Sequence, residues 1–145
     1  MATGPVEQFI RTLQQVEQTG DAQSLAGLFS EDAQLASPER KEQQNGVDGA
    51  LHFWRHYLHA FDRIRSEFVH VHEVDGLAVL EWTSEGALTG GQPIQYEGVS
   101  ILEMDNDKVK RFRTYYDSAA FLRSRAAPEA NGKANDISQQ AQGVV

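Results

Sequence analysis

The chain of 145 residues contains no cysteine. This absence excludes a disulfide scaffold, thiol catalysis and any cysteine-ligated zinc or iron–sulfur site. Basic residues are also scarce, with 13 lysines and arginines against 21 aspartates and glutamates, so the formal net charge is −8. No local run of basic residues offsets this charge, and a phosphate backbone is therefore repelled. We do not expect nucleic acid as a partner.

Long apolar runs are missing as well. No stretch approaches the ~20 apolar residues that a helix needs to cross a bilayer, and the N-terminus lacks the pattern of a signal peptide. We therefore expect no membrane partner and a cytoplasmic location. The sequence also has no Gly-x-Gly-x-x-Gly, no Walker loop and no Gly-x-Ser-x-Gly, so nothing favours nucleotide binding or serine hydrolysis. No cofactor is expected.

The length is typical of a single domain that can bury its own core. After Arg125 the composition changes to alanine, proline, asparagine, glycine, glutamine and serine. Such a segment has little to bury, so we predict a disordered tail over residues 126–145 and a folded domain over residues 1–125.

The N-terminal half has helical periodicity. A first amphipathic helix is predicted to begin at Pro5 and to end at Gly20. Asp21 is the predicted cap of a second, shorter helix, and Asp48 that of a third, which continues to Phe61. Between the last two helices the sequence predicts a turn at residues 30–32, a short strand at 33–37 and a surface loop at 39–45.

The C-terminal half has the alternation of strands. We predict strands over residues 68–73, 77–88, 94–104 and 108–116, the last two joined by a turn at 105–107. Helices followed by a meander of long antiparallel strands indicate an α+β domain with helices packed on one face of the sheet. Long strands twist and bulge, so the sheet is expected to curve and to leave a concave side.

Five segments carry a family resemblance through their order and spacing. They are Gly20-Asp21, residues 29–32, the helix at 46–61, residues 76–82, and Arg113-Thr114-Tyr115-Tyr116-Asp117. Together they resemble the SnoaL-like branch of the nuclear transport factor 2 (NTF2-like) superfamily over residues 6–121. The resemblance implies a cone of curved antiparallel sheet wrapped around three N-terminal helices, an apolar pocket inside it, and a homodimer formed through the sheet.

The superfamily includes ketosteroid isomerases, polyketide cyclases, limonene-epoxide hydrolases and dehydratases, so the fold does not decide the function. Asp117 matches the acid that the cyclases and epoxide hydrolases place at the end of the final strand. Gly98 and Ser100 stand where the epoxide hydrolases have an Arg-x-Asp, and Ser37 stands where the ketosteroid isomerases have their base. The resemblance therefore disfavours both of those reactions.

The candidate catalytic residues are Asp117, Tyr115 and Arg113. Strict alternation places the three side chains on one face of the last strand. Asp117 would be a general acid or base, Tyr115 a hydrogen-bond donor to a substrate oxygen, and Arg113 a group that either orients the acid or keeps it ionised. The alternative is that Asp117 caps a short helix after the strand and pairs with Arg113 structurally. A bulge in the strand would reverse the facing of all three.

The predicted ligand-binding residues are large aromatic side chains and the residues of strand 94–104 that share its pocket face. They are Trp54, Tyr57, Trp82, Tyr96, Ser100 and Leu102. Plain core packing is the alternative for most of the aromatic ones.

Two groups of histidines do not predict a metal site. His70 and His72 share one face of a strand, but no third ligand lies at a useful spacing. The helical set His52, His56 and His59 lies on a polar face that solvent exposure explains.

The sequence therefore predicts a domain that binds a small, largely apolar molecule. As an enzyme it would be a cofactor-free isomerase, cyclase or dehydratase in which Asp117 acts on a carbonyl or enol substrate. The alternative is a non-catalytic ligand-binding module or a dimeric assembly module.

Overall fold

The computed structural model describes residues 4–38 and 40–126. Apart from Ala126, the predicted tail lies outside the described residues. The described chain contains the helices α1 (Pro5–Thr19), α2 (Ala22–Ala26), α3 (Gly46–His59) and α4 (Ala119–Ala126), and the strands β1 (Phe29–Ser37), β2 (Arg40–Asn45), β3 (Phe61–Val74), β4 (Leu77–Leu88), β5 (Pro93–Asp105) and β6 (Lys108–Tyr116). Within these residues, none of the helices has the length and apolarity to span a membrane.

The six strands form one curved sheet in the order β2-β1-β6-β5-β4-β3. This arrangement confirms the α+β class with helices packed on a curved sheet. All neighbouring pairs are antiparallel except β1 and β6, which run parallel. The parallel pair brings an early strand beside the last one.

The first helix has the ends that its sequence predicts. Pro5 occupies its first turn, and Gly20 adopts a left-handed φ of 79° with its N–H donating to Val16 O at 2.7 Å. The third helix starts three residues earlier than a cap at Asp48 predicts, with Asn45 in the capping position and Asp48 inside the first turn. It also ends at His59, because Phe61 already pairs with Leu88 as the start of β3.

Two predicted connections are strands instead. The predicted turn at 30–32 lies inside β1. This strand pairs with β6 on both sides of a register shift, Phe29 with Val109 and Gln34 with Arg111. The predicted loop at 39–45 contains β2, which pairs with β1 at the edge of the sheet. An edge strand exposed to solvent carries polar residues, so its composition is that of a loop.

The core consists of two apolar clusters. The larger one packs α1, α2 and α3 against the inner sheet face and centres on the rings of Phe9, Phe29, Trp54 and Phe112, whose centroids lie 5.2–6.4 Å apart. The smaller cluster, at the other end of the sheet, includes Phe121 from α4. Tyr57 and Phe68 pack against both clusters.

Candidate functional site

A bulge in β6 determines which of its side chains face the inside of the sheet. Next to the turn, Met104 pairs with Val109, but after a register shift Glu103 pairs with Arg111. Lys110 is thus an additional residue on one strand. A single inserted residue moves every later side chain of that strand to the opposite face.

Beyond the bulge, the concave face therefore receives the even-numbered residues of β6. Thr114 lies directly opposite Ser100, and Tyr116 lies opposite Gly98. Residues directly opposite each other in an antiparallel pair share a face. Thr114 and Tyr116 line a cavity, partly open to solvent, together with Ser100.

The three predicted catalytic residues lie on the other side of the sheet. Tyr115 is 53% exposed, and Arg113 forms an ion pair with Glu103 at 3.2 Å. None of Arg113, Tyr115 and Asp117 lines the cavity. The prediction that they face a pocket is wrong, and the bulge is the physical reason. Because none of the three side chains contacts the cavity, their catalytic role stays a prediction.

Asp117 has the contacts of a residue that holds a helix. Its carboxylate accepts from Arg123 of α4 at 2.9 Å. This bond holds the pKa of Asp117 below its usual value, and hydrogen bonds from the backbone N–H groups of Ala119 and Ala120 lower it further. The capping alternative is therefore favoured, with Arg123 rather than Arg113 as the partner.

The cavity lies between the helices and the concave face of the sheet, and most of its wall is aromatic. Five of the six predicted ligand-binding residues line it, namely Trp54, Tyr57, Trp82, Tyr96 and Ser100. Leu102 is fully buried in the larger core cluster and does not line the cavity. The volume available to the centres of water molecules is about 80 Å³. Since one water needs about 10–15 Å³ of such space, the cavity has room for several waters or for a small organic group.

One polar cluster in the wall joins three adjacent strands. Trp82 Nε1 donates to Ser100 Oγ at 2.9 Å, and Ser100 Oγ is 2.9 Å from Thr114 Oγ1. All three residues are buried and line the cavity. A second contact of Thr114 Oγ1, to Val99 O, has a length of 3.5 Å.

A second polar cluster lies where α1 and α3 meet β3 and β4. The Tyr57 hydroxyl donates to Glu17 Oε2 at 2.6 Å, and the Ser66 hydroxyl donates to the same oxygen at 2.7 Å. The backbone N–H of Ser66 donates to Glu17 Oε1 at 2.9 Å, while Ser66 Oγ is 2.6 Å from Ser84 Oγ. Tyr57, Ser66 and Ser84 line the cavity.

Burial changes the proton affinity of this second cluster. Desolvation raises the pKa of the Glu17 carboxyl above its ordinary value of 4.5, although the three hydrogen bonds from Tyr57 and Ser66 oppose the shift. Desolvation also raises the pKa of the Tyr57 hydroxyl well above 10.0. Tyr57 is therefore a neutral phenol at physiological pH, and Glu17 is the titratable group of the cluster.

Sequence reasoning missed Glu17, Ser66, Ser84 and Thr114. Glu17 does continue the stripe of Ile10 and Leu13 on α1, where a carboxylate on a buried face needs partners. The helical spacing was thus a signal for Glu17.

The histidines do not form a metal centre. Within the described ranges there is no group of three histidines, aspartates or glutamates that could hold a metal ion. His70 Nδ1 lies 2.7 Å from Glu81 on the exposed face of the sheet.

Solved structures with this fold include several NTF2-like proteins. An NTF2-like protein of unknown function from Burkholderia pseudomallei is 17% identical, with a TM-score of 0.73 over 86% of this chain and 100% of that one. A Catenulispora acidiphila protein with a ketosteroid isomerase-like fold, solved in complex with trimethylamine, is 14% identical, with a TM-score of 0.72 over 84% of this chain and 93% of that one. An epoxide hydrolase from M. tuberculosis is 12% identical, with a TM-score of 0.65 over 83% of this chain and 88% of that one. At these identities the likeness shows the fold alone.

The sequence family is narrower than the fold. The family profile of the SnoaL-like domain matches residues 6–112. The chain belongs to the SnoaL-like family of the NTF2-like superfamily. A comparison with proteins of curated function gives no match.

Proposed function

We propose that this domain binds a small, largely apolar molecule in its internal cavity and holds a carbonyl or ether oxygen of that molecule at Thr114 and Ser100. The observation that carries the proposal is the buried Trp82–Ser100–Thr114 cluster in a wall that is otherwise mostly aromatic. Ligand pockets commonly combine an apolar wall with a few polar groups that orient the ligand.

The number of hydrogens in this cluster identifies its preferred partner. The indole N–H and the two hydroxyls supply three hydrogens, and the two 2.9 Å contacts use two of them. When Ser100 donates to Thr114, the third hydrogen is that of Thr114, whose only other contact is the one to Val99 O at 3.5 Å, beyond the usual 2.5–3.0 Å range for a hydroxyl donor. When Thr114 donates to Ser100, the third hydrogen is that of Ser100. The cluster can therefore donate one hydrogen bond to a ligand, and a neutral acceptor such as a carbonyl satisfies it.

Catalysis, if the domain performs any, would be cofactor-free proton transfer of the isomerase, cyclase or dehydratase type on a carbonyl or enol substrate. Membership of the SnoaL-like family supports this range, whereas Gly98, Ser100 and Ser37 disfavour the epoxide hydrolase and ketosteroid isomerase reactions themselves. Asp117 would contribute indirectly, because its bond to Arg123 fixes α4, and Phe121 of α4 lines the cavity.

The test uses two probes of the same shape, cyclohexanone and methylenecyclohexane. Binding is followed in ¹H–¹⁵N spectra through the indole N–H of Trp82, which donates to Ser100. We expect cyclohexanone to bind the wild-type protein about five- to tenfold more tightly, the worth of one net hydrogen bond. Thr114→Val removes the Thr114 hydroxyl at nearly constant volume and leaves the Ser100 hydroxyl as the spare donor, so it should reduce this difference. Thr114→Val combined with Ser100→Ala removes both hydroxyls and should reduce it further.

Thr83→Val is the matched control. Thr83 lies on β4 between Trp82 and Ser84, and its side chain points to the opposite face of the sheet. Thr83→Val should leave the affinities for cyclohexanone and methylenecyclohexane unchanged. Equal affinity of the wild-type protein for the two probes would remove the oxygen-binding role, and the absence of any binding would remove the proposal as a whole.

A second candidate function, dimeric assembly, is favoured by the outer face of the sheet. Val74, Leu77, Val79 and Tyr115 are exposed there at 68%, 42%, 37% and 53%, and the strand register places all four on that one face. Contiguous exposed apolar side chains are typical of protein interfaces. We propose that a second copy of the chain covers this face.

Light scattering at micromolar concentration tests the dimer. The expected mass is twice the 16.1 kDa of one chain, and Val79→Glu should reduce it to that of the monomer. Val47→Glu on α3 is the matched control, because Val47 is 38% exposed but lies on the helical side. A monomeric wild-type protein would contradict the proposal.

A further inference from the structure

Four side chains form a continuous series of hydrogen bonds along one wall of the cavity, in the order Tyr57, Glu17, Ser66, Ser84. Three oxygen–oxygen contacts of 2.6–2.7 Å connect them. Gln14 holds the strand in place by donating to Ser66 O at 3.1 Å. We call these four residues the Glu17 network.

The hydrogens of the Glu17 network can be counted for each charge state. With Glu17 ionised, the hydroxyls of Tyr57, Ser66 and Ser84 supply three hydrogens for three contacts. Because Glu17 accepts from both Tyr57 and Ser66, the Ser84 hydroxyl must donate to Ser66 Oγ. No hydrogen is left over for the cavity. What remains is accepting capacity, on Tyr57 Oη and Ser84 Oγ.

The observed contacts fit the ionised state. Glu17 receives the backbone N–H of Ser66 on Oε1 and two hydroxyls on Oε2. Three donors converging on two oxygens stabilise a carboxylate inside a protein. A protonated Glu17 would bring a fourth hydrogen to three contacts and would release one toward the cavity.

We propose that the Glu17 network is a second subsite of the cavity, which accepts a hydrogen bond from a ligand hydroxyl, phenol, enol or N–H group. This inference rests on the proposed function, since it concerns the same cavity, and adds the opposite polarity to it. The Trp82–Ser100–Thr114 cluster donates, whereas the Glu17 network accepts. The cavity then distinguishes molecules that carry a hydrogen-bond donor from those that do not.

Glu17→Gln reverses the polarity of the network without changing its shape. The amide oxygen can still accept from the Ser66 N–H, and the amide nitrogen donates to Tyr57 and Ser66, whose oxygens are able to accept. Five hydrogens then serve three contacts, so two are released and the subsite becomes a donor. A purely structural role of Glu17 would not reverse a ligand preference.

The experiment compares phenol with fluorobenzene, two rings of similar size that differ in one donor. Titrations are followed through the backbone N–H of Ser66, which donates to Glu17 at 2.9 Å. At neutral pH we expect phenol to bind the wild-type protein about tenfold more tightly than fluorobenzene. Glu17→Gln should lose this preference. Glu7→Gln, an exposed position in the first turn of α1, should retain it.

The outcomes separate this inference from the proposed function. If both probes bind equally well to the wild-type protein, or if Glu17→Gln keeps the preference for phenol, the donor-selective subsite is wrong while ligand binding stands. If neither probe shifts the cavity signals, ligand binding itself fails. Should Glu17→Gln not fold, the wild-type comparison and Ser84→Ala decide, because Ser84→Ala moves the accepting oxygen from Ser84 to Ser66, 2.6 Å away, and should reduce the preference.

Discussion

Gly98→Ala is the substitution for which the structure predicts a cost most directly. A Cβ built at Gly98 would lie 2.5 Å from Trp82 Cζ2 and 2.5 Å from the backbone oxygen of Tyr115. Gly98 pairs directly with Trp82 across β4 and β5, so the indole covers the position where a side chain would stand. The backbone oxygen belongs to the neighbouring strand and cannot move without disturbing the sheet.

The size of the effect follows from three contributions. Overpacking in a closely packed region costs about 1–3 kcal/mol. Displacing the indole also endangers the Trp82–Ser100 hydrogen bond, whose loss costs about 0.5–1.5 kcal/mol. Replacing a glycine returns about 0.4–1 kcal/mol, because the unfolded chain loses conformational freedom. We expect a net decrease of about 2 kcal/mol in the free energy of unfolding.

Urea unfolding followed by tryptophan fluorescence measures this decrease. With a urea dependence of about 2 kcal/mol per molar, the midpoint should fall by about 1 M. Gly27→Ala is the control, since its Cβ would meet atoms no closer than 3.6 Å and its φ is −65°. Surface substitutions ordinarily change the free energy of unfolding by no more than about 0.5 kcal/mol. If the free energy of unfolding of Gly98→Ala lies within that range of the wild-type value, the packing argument is refuted.

Three further predictions concern Gly86, Glu17 and Asp117. Gly86→Ala should be more destabilising than Gly98→Ala in the same urea series, because the Cβ would collide with the backbone of Arg63. The raised pKa of Glu17 means that the folded state binds more protons than the unfolded state just above pH 4.5, so stability should fall as the pH rises through that window. Thermal unfolding over a pH series should show this decrease in the wild-type protein but not in Glu17→Gln. Asp117→Asn should keep the preference for cyclohexanone over methylenecyclohexane, because Asp117 does not line the cavity. It should lower stability at neutral pH, a difference that disappears in acid because the lowered pKa of Asp117 makes its ion pair titrate there.

Local signals in the sequence predicted several element ends correctly. Pro5 and Gly20 mark the two ends of α1, and the turn between β5 and β6 contains Asn106 with a φ of 58°. These positions depend on the conformational preferences of single residues, which are visible in the sequence. The strand β2 was missed because its polar composition reflects exposure at the edge of the sheet, a property of the assembled fold.

The role of Glu17 depends on contacts across the fold. Its partners lie on α3 and β3, and the hydrogen bonds connect positions 40 and 49 residues apart in the chain. The helical stripe that includes Leu13 indicates that Glu17 is turned inward, but it does not identify what the carboxylate meets. Only the packing of α1 against the sheet supplies Tyr57 and Ser66 as donors.

The facing of Asp117 shows how one inserted residue decides the interpretation of a whole strand. From the Asp105–Lys108 pair at the turn, an uninterrupted register would place Arg113 opposite Ser100 and so on the cavity face. The observed register places Thr114 there, one position later, because Lys110 is the additional residue in the bulge. Consecutive exposed side chains at 110 and 111, between the buried Val109 and Phe112, are the trace of this bulge in the burial pattern. The sequence contains a corresponding signal, two basic residues in succession where strict alternation requires one apolar residue. With this register, β6 presents the Thr114 hydroxyl to the cavity, and the carboxylate of Asp117, just after the strand, pairs with Arg123 of the helix that follows.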